Sequence, residues 1–290
     1  MATGGGQLAK DVLARFIAAD GFSHARAVAF QLTLTALPGL ISAVALTTIL
    51  DQRPLRRVLE ETLLRLVPGP ATGVLTQAFH QGAGAGGGSG TSAFVVGLGV
   101  ALISGTIAMA LLERGANRIY GVQTDRPVLR KYLQAFLLTC SAGALTFLGF
   151  LLLTMGSAIG YAGRSVGGWS TSLLKVWSFA RWPVGILIVV IAFSLLFKTA
   201  PHRRQPTASW LSLGSGLAAL LWSVFTWLLF LYLRFSKEFG ETYGPLAGII
   251  GILLWTYLSS LALFLGLAFA AQLEGIRAGV SNPVEDRKGT

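Results

Sequence analysis

TASWLSLGSGLAALLWSVFTWLLFLYLRF (207–235), SKEFGE (236–241) and TYGPLAGIIGILLWTYLSSLALFLGLAFAAQLEG (242–275) read as one hydrophobic hairpin. Its first arm carries no charged side chain from Ala208 to Leu233, and its second carries none from Thr242 to Leu273. An α-helix rises about 1.5 Å per residue, so each arm is long enough to cross about 30 Å of hydrocarbon. The polar link is short, which makes the two helices antiparallel neighbours. The hairpin therefore places the chain among integral membrane proteins.

Composition extends that reading to all 290 residues. Hydrophobic side chains make up 53% and charged ones 12%, with a mean hydropathy of +0.66. A soluble domain carries about twice that charged fraction. The net charge is +11, which in a soluble chain would suggest nucleic acid. Here the bases flank apolar runs and no basic stripe interleaves with aromatics, so they are expected to orient the protein and meet membrane lipids, not nucleic acid. The single cysteine, Cys140, lies in an apolar run and forms no internal disulfide. No cleavable signal peptide is expected, since residues 1–24 are polar and lack a small-residue cleavage site.

The expected fold is all-α and polytopic. Six spans are expected at about 25–50, 93–112, 132–161, 182–198, 208–233 and 243–273 within one domain, 25–275. Residues 1–24 precede it as an amphipathic surface segment, with Leu8, Val12, Phe16 and Ile17 at helical spacing. Between spans one and two lies an extracytoplasmic amphipathic insert, 51–92, ending in the flexible linker GAGAGGGSG at 82–90. Residues 164–181 suit an interfacial segment, and Pro183 suits the first turn of the fourth span. Residues 276–290 form a polar tail. With both termini in the cytoplasm, inside segments hold 14 Lys and Arg against 9 outside, a bias that favours this orientation.

Several positions invite a functional reading beside a packing one. Gln31, Thr35, Pro38 and Ser42 share one face of the first span. They either line a substrate pathway at a proline kink or hydrogen-bond to neighbouring helices. In the sixth span Gly244, Gly248, Gly251, Ser259 and Gly266 form a small-residue stripe for close packing or for a gating surface. The densest polar cluster is Glu113, Arg114, Asn117 and Arg118, with Glu113 and Asn117 on one helical face and the two arginines on another. Arg114, Asn117 and Arg118 are candidates for a lipid-headgroup or anion contact, or simply end a helix with inside-positive charge. No ionisable group sits deep in an expected span, which argues against proton relays and voltage sensing. His24, His80 and His202 are far apart and outside the spans. No catalytic set, metal site or cofactor is expected.

The chain resembles the YihY/virulence factor BrkB family of bacterial inner-membrane proteins, once labelled ribonuclease BN. The likeness covers about residues 20–275. It rests on AVAFQLTLTALPGLI (27–41), GANRIYGVQTDRPVLRK (115–131), ARWPVGILIVVIAFSLLFKTAPHRR (180–204) and ETYGPLAGIIGILLWTYLSSLALFLG (241–266). The resemblance implies six helices with cytoplasmic ends, an inner-membrane location and no settled activity. Family members commonly carry G-A-E-L-N late in the last span; here Gly266 is followed by Leu267, Ala268, Phe269 and Ala270, so the acid and the amide are both alanine. The first-span motif S-L-F-P reads Thr35-Ala36-Leu37-Pro38.

The function expected from these features is a transporter or flippase-like protein for an amphiphilic, lipid-related envelope substrate. A non-transporting scaffold for envelope proteins is the alternative, and a ribonuclease is disfavoured because no acid–base or metal chemistry is assembled. Self-association is left open.

Overall fold

The computed structural model describes residues 5–49, 88–122, 124–146, 148–149, 168–202, 208–235 and 246–279, with 152, 160 and 164 as single positions. All regular structure among them is helical: α1 (Gly5–Ala18), α2 (Gly21–Ile49), α3 (Gly88–Ile119), α4 (Val128–Leu138), α5 (Thr171–Thr199), α6 (Ala208–Phe235) and α7 (Ala247–Arg277). Five of these, α2, α3, α5, α6 and α7, are long and apolar enough to cross a membrane. The expected third span begins in α4 and continues through a π-helical turn, Thr139–Gly143, then runs past the described stretches. Residues 51–87 of the expected insert (51–92) and Gly244 also lie outside the described residues.

Helix α7 is the centre of the bundle, touching α6, α2, α1 and α3. Phe264, Leu267, Ala268 and Ala270 are fully or almost fully buried on it. Along the hairpin, contacts step down α6 as they step up α7. A Cβ on Gly214 would lie 2.7 Å from that of Ala270, one on Gly266 would lie 2.7 Å from the Gly214 carbonyl oxygen, Trp222 Nε1 donates to Ser259 Oγ at 3.1 Å, and Trp255 Nε1 donates to Thr226 Oγ1 at 3.2 Å. That order is antiparallel, as the short link requires. Lipid supplies no hydrophobic drive between spans, so close backbone approach over small residues is what holds two such helices together.

Three boundaries differ from the sequence expectation. Helix α3 begins at Gly88, so the end of the glycine-rich linker is helical. Helix α5 begins at Thr171, because the Ser170 hydroxyl accepts from Leu173 N at 3.3 Å and caps it there. Pro183 is consequently inside the helix and not in its first turn, where it removes the backbone bond to the residue 179 carbonyl. Most of the expected interfacial segment is therefore the outer part of α5. Third, α1 and α2 divide the N-terminal segment at Asp20, whose φ of +55° is tolerated because a short polar side chain accepts the left-handed region. Its carbonyl accepts from Ser23 N and His24 N. Helix α1 then buries Val12 and Phe16 against the bundle and leaves Leu13 and Ile17 exposed, while Arg15 Nε donates to Gln272 Oε1 on α7 at 2.9 Å.

The Gly214–Gly266 crossing predicts the response to one added methyl. Gly266→Ala would set a Cβ 2.6 Å from that of Ala218 and is expected to lower stability by about 1–3 kcal/mol through overpacking. Gly216→Ala, on the same helix pair but with open space beside it, is expected to be neutral or mildly stabilising. Thermal unfolding of the two purified variants in one detergent separates these outcomes.

Candidate functional site

A cluster of charged and polar side chains gathers where α3 and α5 end and α4 begins. The i, i+4 pair Glu113 and Asn117 on the last turns of α3 faces inward, and both side chains are almost fully buried. Arg114 and Arg118, on the other face of the same turns, are exposed. After Ile119 the chain reverses at Gly121, whose φ of +73° belongs to the region that glycine enters without steric cost. Val122 N closes the turn on the Asn117 carbonyl at 2.8 Å. The returning segment then brings Asp125, Arg126 and Pro127 back over the buried face, and Pro127 stands at the N-cap of α4.

Arg126 joins three elements. Its Nη1 lies 2.9 Å from Glu113 Oε1, with the carboxylate wholly buried and the guanidinium side chain 14% exposed. The same group donates to the carbonyls of Ala200 at 2.8 Å, Thr199 at 3.2 Å and Pro201 at 3.1 Å. These are carbonyls at the end of α5, which have no partner in their own helix and carry its partial negative charge. Gln134 Nε2 donates to the Thr199 carbonyl as well, at 3.1 Å. The Glu113 oxygens have no aligned hydrogen-bond donor among the described residues, although Arg126 stands at ion-pair distance. The contact is therefore chiefly electrostatic.

A second knot sits beside it. Asp125 accepts from Lys131 Nζ at 2.8 Å and from Asn117 Nδ2 at 3.1 Å, with Arg114 Nε at 3.7 Å. The Lys131 hydrogen bond is the largest cause holding the Asp125 carboxyl below its usual range. Partial burial opposes it, and Asn117 adds to it. The other end of the Asn117 amide, Oδ1, accepts from His202 N at 2.7 Å, which ties the residues after α5 to α3. Nδ1 of His202 lies 3.2 Å from the Thr124 carbonyl.

Above these knots opens a cavity of about 310 Å³ lined by Arg126, Pro127, Arg130, Leu133, Gln134, Leu137 and His202. Its lining mixes basic and polar side chains with leucine.

The residues singled out from the sequence fall into separate places. Asn117 is buried within the knot, whereas Arg114 and Arg118 remain at the surface. Gln31 Nε2 donates to Ser104 Oγ at 2.9 Å, Thr35 Oγ1 to the Gln31 carbonyl at 2.8 Å, and Ser42 Oγ to the Phe94 carbonyl at 3.1 Å. A Cβ on Gly97 would touch the Pro38 carbonyl. That polar face of α2 thus lies against α3. Gly251, Ser259 and Gly266 turn toward α6, with Leu233, Trp222 and Gly214 as their neighbours, and Gly248 is buried. Asp125, Arg126, Arg130, Lys131, Gln134 and His202 were not singled out. A lone aspartate in a basic loop is a signal for an ion pair, but its partners are set by the chain reversal. Among the described residues, no three His, Cys, Asp or Glu side chains gather as a metal site requires.

Residues 12–288 match the family described as Virulence factor BrkB. YfkH of Bacillus subtilis (strain 168), which carries a provisional ribonuclease-like name, is 27% identical over 259 residues, covering 89% of this chain and 91% of that one. Membrane protein IL2447 of Idiomarina loihiensis, of the group UPF0761, is 25% identical over 199 residues, or 66% of this chain and 65% of its own. The UPF0761 membrane protein Smlt0865 of Stenotrophomonas maltophilia (strain K279a) is 27% identical over 199 residues, with 68% and 43% covered. The chain thus spans nearly all of the first relative and less than two thirds of the other two. No solved structure matches it.

Two outcomes follow from the ion pairs. Arg126→Ala leaves a buried carboxylate uncompensated and is expected to cost about 3–5 kcal/mol in detergent unfolding, part of which Glu113→Gln in the same chain restores. Asp125→Asn removes a carboxylate whose stabilising contribution is full above its unfolded value near 3.8 and fades as pH falls through the lower folded value. The stability gap between wild type and this variant is expected to be widest near neutrality and to close in acid, as unfolding curves across pH would record.

Proposed function

The chain belongs to the virulence factor BrkB family of membrane proteins, and on that footing we propose that it binds and moves an amphiphilic, lipid-related substrate of the bacterial envelope. It does so as a six-span protein of the inner membrane with both termini in the cytoplasm. The observation that carries this reading is the cavity at the head of α4, whose lining combines Arg126, Arg130, Gln134 and His202 with Leu133 and Leu137. Mixed lining of this kind suits a ligand with a polar head and an apolar body. Its volume of about 310 Å³ is at the small end of ligand sites, enough for a headgroup and the start of a chain.

The position of the cavity supports movement as well as binding. It lies where the end of α5, the end of α3 and the start of α4 are joined through Arg126. A ligand contacting that guanidinium touches all three elements together. The scaffold reading draws on a different observation: Gln31 and Ser42 on the polar face of α2 hydrogen-bond to α3, as in a closed interface. The ribonuclease-like name belongs to the Bacillus relative. In this chain Glu113 and Asp125 are each held by a basic side chain, which leaves neither free for acid–base work.

Purified full-length protein in proteoliposomes is expected to carry a fluorescent lipid analogue between leaflets faster than empty vesicles do. A variant that fills the cavity mouth, Leu133→Trp, is expected to slow that movement without unfolding the protein. Transfer no faster than in empty vesicles would sink the transport reading in favour of the scaffold.

A further inference from the structure

We infer that the cavity at the head of α4 is a headgroup site for an anionic phospholipid, with Arg130 as the cation that receives the phosphate. The inference rests on the reading above and names the substrate class of that same site. Arg130, Leu133, Gln134 and Leu137 fall at i, i+3, i+4 and i+7, so they form one stripe along α4. From Arg130 to Leu137 the helix rises about 10 Å. Along that length Arg130 stands at the start of the stripe, with Leu133 and Leu137 beyond it, so a phosphate on the guanidinium leaves an acyl chain beside leucine.

The two leucines of the stripe are open on their outer side. Leu133 and Leu137 are more than half exposed, and they continue into Val128, Leu129 and Phe136, which are exposed too. No protein element among the described residues covers that face. In a membrane it meets acyl chains, so a molecule seated on Arg130 lays its tails along a surface that is already lipid-facing.

Charge decides which headgroup fits. Residues 113–131 contain two carboxylates, Glu113 and Asp125, against five cations. Both carboxylates are paired, with Arg126 and with Lys131, and Arg126 is further occupied by three carbonyls. Arg130 is exposed and has no carboxylate within ion-pair distance among the described residues. A guanidinium in that state presents a planar fork that matches two phosphate oxygens. The lining contains no Asp or Glu, so nothing in it accepts the ammonium of a zwitterionic headgroup. Phosphatidylglycerol or phosphatidic acid is favoured over phosphatidylcholine for that reason.

The test uses full-length protein in detergent and reads lipid binding by native mass spectrometry and by thermal shift. The probes are phosphatidylglycerol, phosphatidylcholine and inorganic phosphate. Phosphatidylglycerol is expected to bind and raise the melting temperature, while phosphatidylcholine binds more weakly. Loss of one charge-assisted contact in Arg130→Ala is expected to weaken phosphatidylglycerol about tenfold, with Arg130→Lys intermediate. Arg118→Ala, which removes an exposed cation outside the cavity, is expected to change little. Equal binding of both lipids, or equal loss in Arg118→Ala and Arg130→Ala, overturns the site. Inorganic phosphate that binds at Arg130 as tightly as the lipid overturns the lipid assignment. Binding that is retained while proteoliposome transfer is absent leaves this site standing and removes only the transport reading.

Discussion

A carboxylate taken out of water at the end of an apolar helix demands a counter-charge, and among the described residues Glu113 has a single one, Arg126. Burying that group alone would cost several kcal/mol, so α3 cannot end as it does unless Arg126 is delivered to it. Delivery requires the chain to reverse at Gly121, and the reversal sets where α4 starts. Once in place, the guanidinium has donors left over, and the carbonyls that end α5 take them. One ion pair therefore fixes the relation of three helices and the position of the cavity above them.

The second constraint is the absence of hydrophobic drive between spans. Helices in lipid gain by approaching closely, and this bundle does so at small residues. Gly214 meets Gly266 and Ala270, Gly97 meets the backbone around Pro38 and Ser42, and Gly149 meets the Gly185 carbonyl. The alanine at 270 fits this picture. Its Cβ already stands against the bare backbone at Gly214, and a longer side chain would push α6 away. Hydroxyls follow the same pattern, with Thr33 and Thr256 sharing a hydrogen bond of 2.9 Å between α2 and α7.

Much of the architecture was legible because hydrophobic length is local information. The boundaries of α6 follow its uncharged run closely, and α7 runs on past its own to Arg277. The start of α5 did not follow them, since Ser170 begins the helix well ahead of its apolar stretch, and a serine cap among polar residues resembles any other turn. The candidate site was half legible. The spacing of Glu113 and Asn117 placed them on one face, but nothing in the spacing indicated that this face turns inward. The exposed arginines beside them drew the headgroup reading, while the cavity is lined by Arg126 and Arg130 from the returning strand of chain.

The amino-acid sequence by itself determined that this chain lies in a membrane, that its helices are long and antiparallel, and which family it belongs to. These depend on run length, charge distribution and short motifs, each a property of neighbouring residues. The tertiary structure alone decided which charges are neutralised and which remain available. Pairing depends on distances between Glu113 and Arg126 and between Asp125 and Lys131, and those distances exist only after the chain has reversed and α5 has docked. Arg130 and Arg126 are equally basic on paper. Folding engages one with buried partners and leaves the other at the edge of a cavity.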